Sequence, residues 1–428
     1  MMSETRWNRE GRFDWLMVLV VYALAIFGIF CIAMARYQPS VSEGKPILNK
    51  ILDNRSSMWQ SIFVLVSPVV IGVIVAIPTE FFHARARLVY FAVLGLLLLT
   101  LVVGTVSNNL RGWLKSSILG RSIQPSEFAK LSILLMLARQ LSRSEKPMSK
   151  FKDFIRTILI VGVPALVILA QGETGTVIVI AFMFLVMIYF AGVDIRIILL
   201  FVFLGILFIG AIVAYGMLSE TTDYRILRLL AFMDPQKYEK SGGYQIIMSQ
   251  RAIGSGQTMG VGTFLPGSWT TLGYVPESST DAIFSVVGEC FGFVGCAAVL
   301  LMYLFLILRM IFMARFTDDK FCQLVIIGVV SALLFHVFQN VAMSMGIMPI
   351  TGIPLPFLSY GGSNFISNIA AIALVLNIAR SGNAVTSSVP LPILNSDQDS
   401  SQAGKRRGLR RLFTRRKAAS KSPGIRFR

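Results

Sequence analysis

The sequence predicts an all-α polytopic membrane protein of ten transmembrane helices, with a long extracytoplasmic loop between helices 7 and 8. Three observations carry that prediction. Of the 428 residues, 55% are hydrophobic and only 14% charged, with a mean hydropathy of +0.69; a soluble domain carries roughly 25% charged residues. Apolar stretches approaching the ~20 residues needed to cross ~30 Å of hydrocarbon recur along the chain. The polar intervals between them are short, with one exception.

The apolar stretches fall at about 14–35, 58–78, 88–106, 124–142, 154–170, 175–191, 196–216, 281–308, 322–345 and 362–380. In the first, Ala33-Met34-Ala35 resembles a leader cleavage site, but the apolar run is too long for one and nine further spans follow. Glu127, Lys130 and Arg139 interrupt the fourth, and the sixth is short. Only a few residues around Gly192 to Asp194 separate the sixth from the seventh, which makes them a helical hairpin. The short loops on the N-terminal side carry more Lys and Arg than those opposite, so both termini are expected in the cytoplasm, with the protein multi-pass in the membrane. The organisation expected is a cytoplasmic N-terminus at 1–13, a membrane domain at 14–380 and a basic, disordered cytoplasmic tail at 381–428.

The exception is the loop 217–280, too long to be structureless. Tyr224 to Leu230 suits a short interfacial helix with its apolar side toward lipid, and Tyr244 to Ile253 a second. The glycines that follow (Gly254, Gly256, Gly260, Gly262, Gly267 and Gly273) read as flexible covering. No Gly-Lys-Ser/Thr accompanies them and no strand precedes them.

The net charge of +18 is concentrated at the C-terminus, where residues 405–428 hold eleven Lys/Arg and no acid. Such a block is expected to be disordered. With no base-stacking aromatics or folded binding module beside it, nucleic acid is excluded as a partner and anionic lipid headgroups are expected. Cys31, Cys290, Cys296 and Cys322 lie in or beside spans with no metal-ligand spacing, and read as small packing residues.

Ionisable groups inside spans are costly and so mark candidate sites. Glu127 and Lys130 lie on adjacent turns of one helix face, as a satisfied ion pair or as two charges presented to a polar ligand. His336 and Asn340, four apart, suit helix-packing hydrogen bonds, as do Asn364 and Asn368. Asp281 ends Pro276-Glu277-Ser278-Ser279-Thr280-Asp281, where the long loop meets the eighth span. It reads either as part of a helix cap and first turn or as a carboxylate at the membrane surface, able to take a proton from a substrate hydroxyl. Pro349, Pro354 and Pro356 before Phe357-Leu358-Ser359-Tyr360-Gly361-Gly362-Ser363 break the helix, as at a re-entrant or cavity-lining segment.

Four segments together resemble one family. They are Gln124-Pro125-Ser126-Glu127-Phe128-Ala129-Lys130-Leu131; Tyr244-Gln245 with Ser249 and Ala252-Ile253-Gly254-Ser255-Gly256; Pro276-Glu277 with Thr280-Asp281 and Ile283-Phe284; and Thr351-Gly352-Ile353-Pro354-Leu355-Pro356-Phe357 running into Ser359-Tyr360-Gly361-Gly362-Ser363. The set is similar to that of the SEDS proteins (shape, elongation, division and sporulation), and the second and fourth segments look more like the RodA branch than the FtsW branch. The resemblance implies a ten-helix peptidoglycan glycosyltransferase that polymerises lipid II into glycan strands outside the cytoplasmic membrane, alongside a class B penicillin-binding protein. It maps the catalytic aspartate onto Asp281 and the family's paired acid and lysine onto Glu127 and Lys130. Lys130, Arg121 and Arg111 are the cations expected at the diphosphate, with a divalent cation, Mg²⁺ or Mn²⁺, and no other cofactor. Gln245, Ser249, Glu277, Thr280, Ser359, Tyr360, Gly361 and Gly362 are expected along the substrate. The chain departs from the family pattern at Ser279 and Ala282, at Gln171-Gly172-Glu173-Thr174-Gly175-Thr176, at Arg111-Gly112-Trp113 and at Glu289-Cys290. Two other classes fit an apolar chain with broken spans: a transporter such as a lipid II flippase, and a scaffold that recruits a transpeptidase.

Overall fold

The computed structural model describes residues 13–38, 40, 44–107, 110–116, 121–218 and 224–388. The expectations for residues 1–12 and for residues 389–428 of the tail lie outside the described residues, while residues 381–388, expected in the disordered tail, continue the last helix.

Helix α1 (Trp15–Ala35) starts at Asp14, whose Oδ1 accepts from Met17 N at 3.1 Å. Its other oxygen holds Arg309 Nε at 2.7 Å, which fixes the start of α1 to a distant helix. A short α2 (Ile47–Asp53) leads to α3 (Arg55–Ala76), capped by Asn54, and α4 (Thr79–Val103) follows across Pro78. The third span therefore begins nine residues before the apolar stretch read from 88. The chain then forms a small antiparallel sheet, β1 (Thr105–Ser107), β2 (Leu110–Ser116) and β3 (Arg121–Ile123), in the order β1-β2-β3. No alternating pattern in the sequence announces it.

Helices α5 (Pro125–Leu141), α6 (Phe151–Ala170), α7 (Thr174–Phe190) and α8 (Ile195–Leu218) come next. Gly192, at a φ of 86°, turns α7 into α8 as the expected hairpin. After α9 (Tyr224–Met233), a 3₁₀ turn (Glu239–Ser241) and α10 (Gly243–Ser255), an irregular stretch reaches α11 (Ile283–Arg315). Helices α12 (Lys320–Ser344) and α13 (Gly362–Ser388) complete the described chain. Eight helices among the described residues are long and apolar enough to cross a membrane: α1, α3, α4, α6, α8, α11, α12 and the first part of α13. The two shorter ones, α5 and α7, are the interrupted fourth and short sixth segments.

An apolar helix is indifferent to whether lipid or protein surrounds it, so polar residues decide which helices lie inside. Helix α12 carries Ser331, His336, Gln339, Asn340 and Ser344, and it is buried along most of its length. Helix α8 is apolar apart from Arg196 at its start, and its side chains are almost all exposed, as suits a lipid-facing element.

Two parts of the long loop depart from expectation. On α9 the apolar side does not face lipid: Leu230 and Ala231 are buried against the chain, and Ile226 sits over Gly216 of α8. The glycine-rich stretch is not a loose cover. Helix α11 is interrupted at Gly292, whose φ of 64° and ψ of −159° are not helical. The backbone of 257–262 is spliced into that break. Val261 N donates to Glu289 O at 2.9 Å, Gly262 N to Cys290 O at 3.2 Å, and Phe293 N to Gln257 O at 2.9 Å. A side chain at Gly256 or Gly260 would strike the backbone of residues 288–291, so these glycines serve close approach rather than flexibility. Glu289 adds to the splice, accepting from the backbone of Trp269 at 2.6 Å and of Thr270 at 3.0 Å.

The four cysteines are free; Cys31, Cys290 and Cys322 are buried. Gly28 on α1 packs directly on the turn at Phe357–Leu358, where an added Cβ would lie 2.7 Å from Leu358 Cα and from Phe357 O. Gly28→Val should therefore destabilise the protein by about 1–3 kcal/mol. Gly72→Ala, at a position on α3 with nothing within 4 Å, should not. Thermal unfolding of the two purified variants in detergent checks this, and equal midpoints would contradict the packing.

Candidate active site

Asp281 sits just before α11, in a segment held from three directions. Asn340 on α12 donates its Nδ2 to Asp281 O at 2.7 Å and to Ile353 O at 2.8 Å. Ser359 Oγ donates to Thr280 O while accepting from Leu355 N at 2.8 Å, and Tyr360 N donates to Ser279 O at 2.9 Å. From the end of α1, Arg36 Nε donates to Ser279 Oγ at 3.1 Å, and Ala35 O accepts from Ser278 Oγ at 3.4 Å. The backbone of 278–281 is thus pinned, while the Asp281 carboxylate makes no hydrogen bond among the described residues. The capping alternative is not realised: the N-cap of α11 is Ala282, with no side-chain cap bond.

The Asp281 side chain is half-buried and faces Gly352, which has a φ of 70°. A Cβ at Gly352 would lie 3.3 Å from Asp281 Oδ2 and 3.9 Å from Arg228 Nη1, so the missing side chain leaves the acid and the guanidinium facing one space. Burial, then the charge of Glu277, push the Asp281 carboxyl up to about 6, against the opposing influence of Arg228. Such a carboxyl is ionised at neutral pH yet basic enough to accept a proton.

The other expected site residues divide into five groups. Glu277 is exposed at a φ of 50°, and Thr280 Oγ1 donates to its carboxylate at 2.9 Å. Ser249 is buried and Gln245 half-buried on α10, which packs Met248 and Ala252 against Val275 and Ala282 and so lies beside Asp281. Ser359 and Tyr360 act here through the bonds above; Gly361 N reaches Gln60 Oε1 at 3.5 Å, and Gly362 packs on the Phe63 ring. Arg111 and Arg121 lie on β2 and β3, and their side chains fall outside the described residues.

Glu127 and Lys130 form the fifth group, and here the ion-pair alternative is realised. Both are buried, 2.9 Å apart. Asn364 Nδ2 donates to Glu127 Oε2 at 2.9 Å, and Lys130 Nζ meets His336 Nε2 at 3.0 Å. With Lys130 donating, the imidazole is neutral and its Nδ1–H points to Pro354 O at 3.3 Å. These charges are satisfied inside the bundle rather than presented to a ligand. His336 and Asn340 do not simply join two helices: each reaches a carbonyl of the extended segment after α12.

Sequence reasoning missed Arg228 and Arg36, the cations that lie at Asp281 and its segment. Arg228 was hidden in a helix assigned to the lipid interface; a basic residue three positions after Arg225, within an otherwise apolar run, was the available signal. Two departures from the family pattern meet in space, because a Cβ at Gly112 would strike Glu173 Oε1. The glycine makes room for the longer acid. For the divalent cation, no group of three or more His, Cys, Asp or Glu converges among the described residues.

Residues 14–384 match the family described as "Cell cycle protein", that of FtsW, RodA and SpoVE. The chain is 36% identical over 288 residues to stage V sporulation protein E of Bacillus subtilis (strain 168), covering 67% of this chain and 76% of the relative. It is 34% identical to peptidoglycan glycosyltransferase MrdB of Escherichia coli (strain K12), covering 75% and 85%, and 31% identical to peptidoglycan glycosyltransferase RodA of Treponema pallidum, covering 86% and 97%. Among solved structures it superposes on a chain from a peptidoglycan synthase complex, described as "Structural coordination of polymerization and crosslinking by a peptidoglycan synthase complex", with a TM-score of 0.69, 26% identity and coverage of 86% and 98%. RodA of Thermus thermophilus gives a TM-score of 0.62 at 25% identity, with coverage of 86% and 97%. The chain is a multi-pass membrane protein and belongs to the SEDS family.

Proposed function

We propose that this chain is a peptidoglycan glycosyltransferase that polymerises lipid II into β-1,4 glycan strands at the outer face of the bacterial cytoplasmic membrane, for cell elongation and shape. The observation that carries the reading is the Asp281 carboxylate: its backbone is pinned, it makes no hydrogen bond among the described residues, its pKa is raised to about 6, and it faces Arg228 across Gly352. Relatives named peptidoglycan glycosyltransferase support the reaction class.

The reading takes α5 and α7 as spans beside the eight longer helices; their 17 residues rise about 25 Å, near the lower limit for crossing. Ten spans would put both termini on one side, and the Lys/Arg bias of the short loops makes that side the cytoplasm, with Asp281 at the outer surface. The Gly352-Ile353-Pro354-Leu355-Pro356 run supports elongation over division or sporulation.

In this mechanism Asp281 takes the proton from the 4-hydroxyl of the acceptor GlcNAc as that oxygen attacks the anomeric carbon of the lipid-linked donor. The bond from that carbon to the diphosphate oxygen breaks, undecaprenyl diphosphate leaves, and the α-linked donor becomes a β-1,4 link. Arg228, which faces the same space as Asp281, stabilises the developing negative charge on the leaving group. Asp281 then returns its proton to water. The step needs one base and a stabilised leaving group, and no carboxylate nucleophile. A class B penicillin-binding protein is the partner proposed, in keeping with the polymerisation and crosslinking that one solved relative's synthase complex coordinates. The break at Gly292 and the extended segment before α13 also suit a transporter. Reconstituted vesicles separate the readings: a flippase moves labelled lipid II without lengthening glycan.

Asp281→Asn should leave the protein folded in the membrane while lowering glycan polymerisation on purified lipid II by about 10²–10⁴-fold, the usual worth of a general base. Full activity in the folded variant would refute the assignment. Because the active form is the carboxylate, kcat/KM should fall about tenfold per unit as pH drops below about 6. Glu277→Gln removes a charge that raises the pKa and should move this limb to lower pH. Arg228→Gln removes a charge that lowers it and should move the limb to higher pH in whatever activity remains. A limb that stays in place in both variants would show that another group titrates.

A further inference from the structure

At the end of the bundle opposite Asp281, three helices bring four arginines together. Tyr90 Oη donates to Ile160 O at 3.0 Å and ties α4 to α6. Arg87 precedes Tyr90 by three residues and Arg156 precedes Ile160 by four, so each lies one turn from that bond on the same face. Arg139, in the last turn of α5, donates Nη1 to Ala84 O at 2.9 Å, one turn from Arg87, and Arg143 follows just past the helix. Arg139 lies within electrostatic reach of Arg143 and Arg87, and Arg143 within reach of Arg87 and Arg156.

Among the described residues none of these four guanidinium groups is in an ion pair, and Arg139 Nε is buried without a hydrogen-bond partner. Of the nearby carboxylates, Asp319 is engaged in capping α12, where Cys322 N donates to it at 2.7 Å, and Asp153, one turn before Arg156, makes no ion pair with it. Like charges gathered from three helices repel one another, so the cluster calls for an anion with several acceptor oxygens. Arginine forks fit phosphate. Beside the cluster the surface is apolar: Leu88 adjoins Arg87 and Ile155 adjoins Arg156 in sequence, and both are exposed, as is Leu159 one turn on.

We propose that Arg87, Arg139, Arg143 and Arg156 bind the phosphate of an anionic phospholipid headgroup, whose acyl chains lie along Leu88, Ile155 and Leu159. The proposal uses none of the tail's arginines and none of the glycosyl-transfer chemistry, and its test does not read that activity. The full-length protein, delipidated in a zwitterionic detergent, is titrated with phosphatidylglycerol or phosphatidylcholine, and lipid retention is followed by native mass spectrometry. Wild type should retain phosphatidylglycerol selectively. R87Q/R143Q/R156Q, three exposed positions, should retain it at least about tenfold less tightly, from roughly 1 kcal/mol for each charge near a membrane surface. R406Q/R407Q/R410Q removes the same charge from the tail and should retain the lipid as wild type does. If the triple variant does not fold, R143Q alone, just beyond the end of α5, should still weaken retention severalfold. Equal retention by folded wild type and cluster variants, loss in the tail variant instead, or no preference for phosphatidylglycerol would overturn the site. Displacement of the lipid by low-millimolar inorganic phosphate would overturn the lipid assignment in favour of a free-phosphate site.

Discussion

The carboxamide of Asn340 joins the two irregular segments on which the site depends. Inside a membrane bundle an extended backbone cannot turn to water, and each unmet polar group costs several kcal/mol. Residues 349–360 run through the protein in that condition. Pro349, Pro354 and Pro356 remove three donors that would otherwise need partners. Four of the segment's carbonyls are met from α12 and α11: Gln339 reaches Pro349 O at 3.0 Å, Asn340 reaches Ile353 O, His336 meets Pro354 O, and Tyr303 donates to Pro356 O. Asn340 has a second N–H, and it goes to Asp281 O. The solution to a backbone problem thus also sets the position of the acid.

A second break follows the same logic with a different donor. Gly292 interrupts α11, and the backbone of 257–262 supplies the partners that the interrupted helix lacks. Backbone can approach backbone that closely only where side chains are absent, which accounts for Gly256 and Gly260. The long loop is consequently part of the scaffold that begins α11, and Asp281 sits between the two splices.

Charge is divided by depth. Glu127, Lys130 and His336 lie inside and satisfy one another, together with Asn364 and Pro354 O. A buried pair is tolerable when its remaining lone pairs and protons find partners, and removing one member is costly because the other is left unpaired. Loss of activity on mutating that pair would therefore not place it at the substrate. Asp281 is the opposite case: its backbone carbonyl is engaged by Asn340 and its carboxylate makes no hydrogen bond among the described residues.

The sequence by itself determined the class of the protein and most of its helices, because hydrocarbon imposes length and apolarity on any spanning segment. It also singled out Asp281, as an acid standing where a polar loop meets an apolar run. It could not reveal the β1–β3 sheet, whose short strands carry no clear period, nor separate α5 from a loop-facing charged site, since Glu127 and Lys130 read alike in either role. Hydrophobic periodicity was silent on which helix lies at the centre, because helices apolar on every side have no distinguishing face. Only the tertiary structure decided that the glycine-rich stretch is a splice, that Arg228 faces Asp281, and that Asn340 serves two segments at once. Each of those is a meeting of residues far apart in the chain that no local pattern encodes, and the splice and the Asn340 bonds are fixed by the need to satisfy buried backbone polar groups.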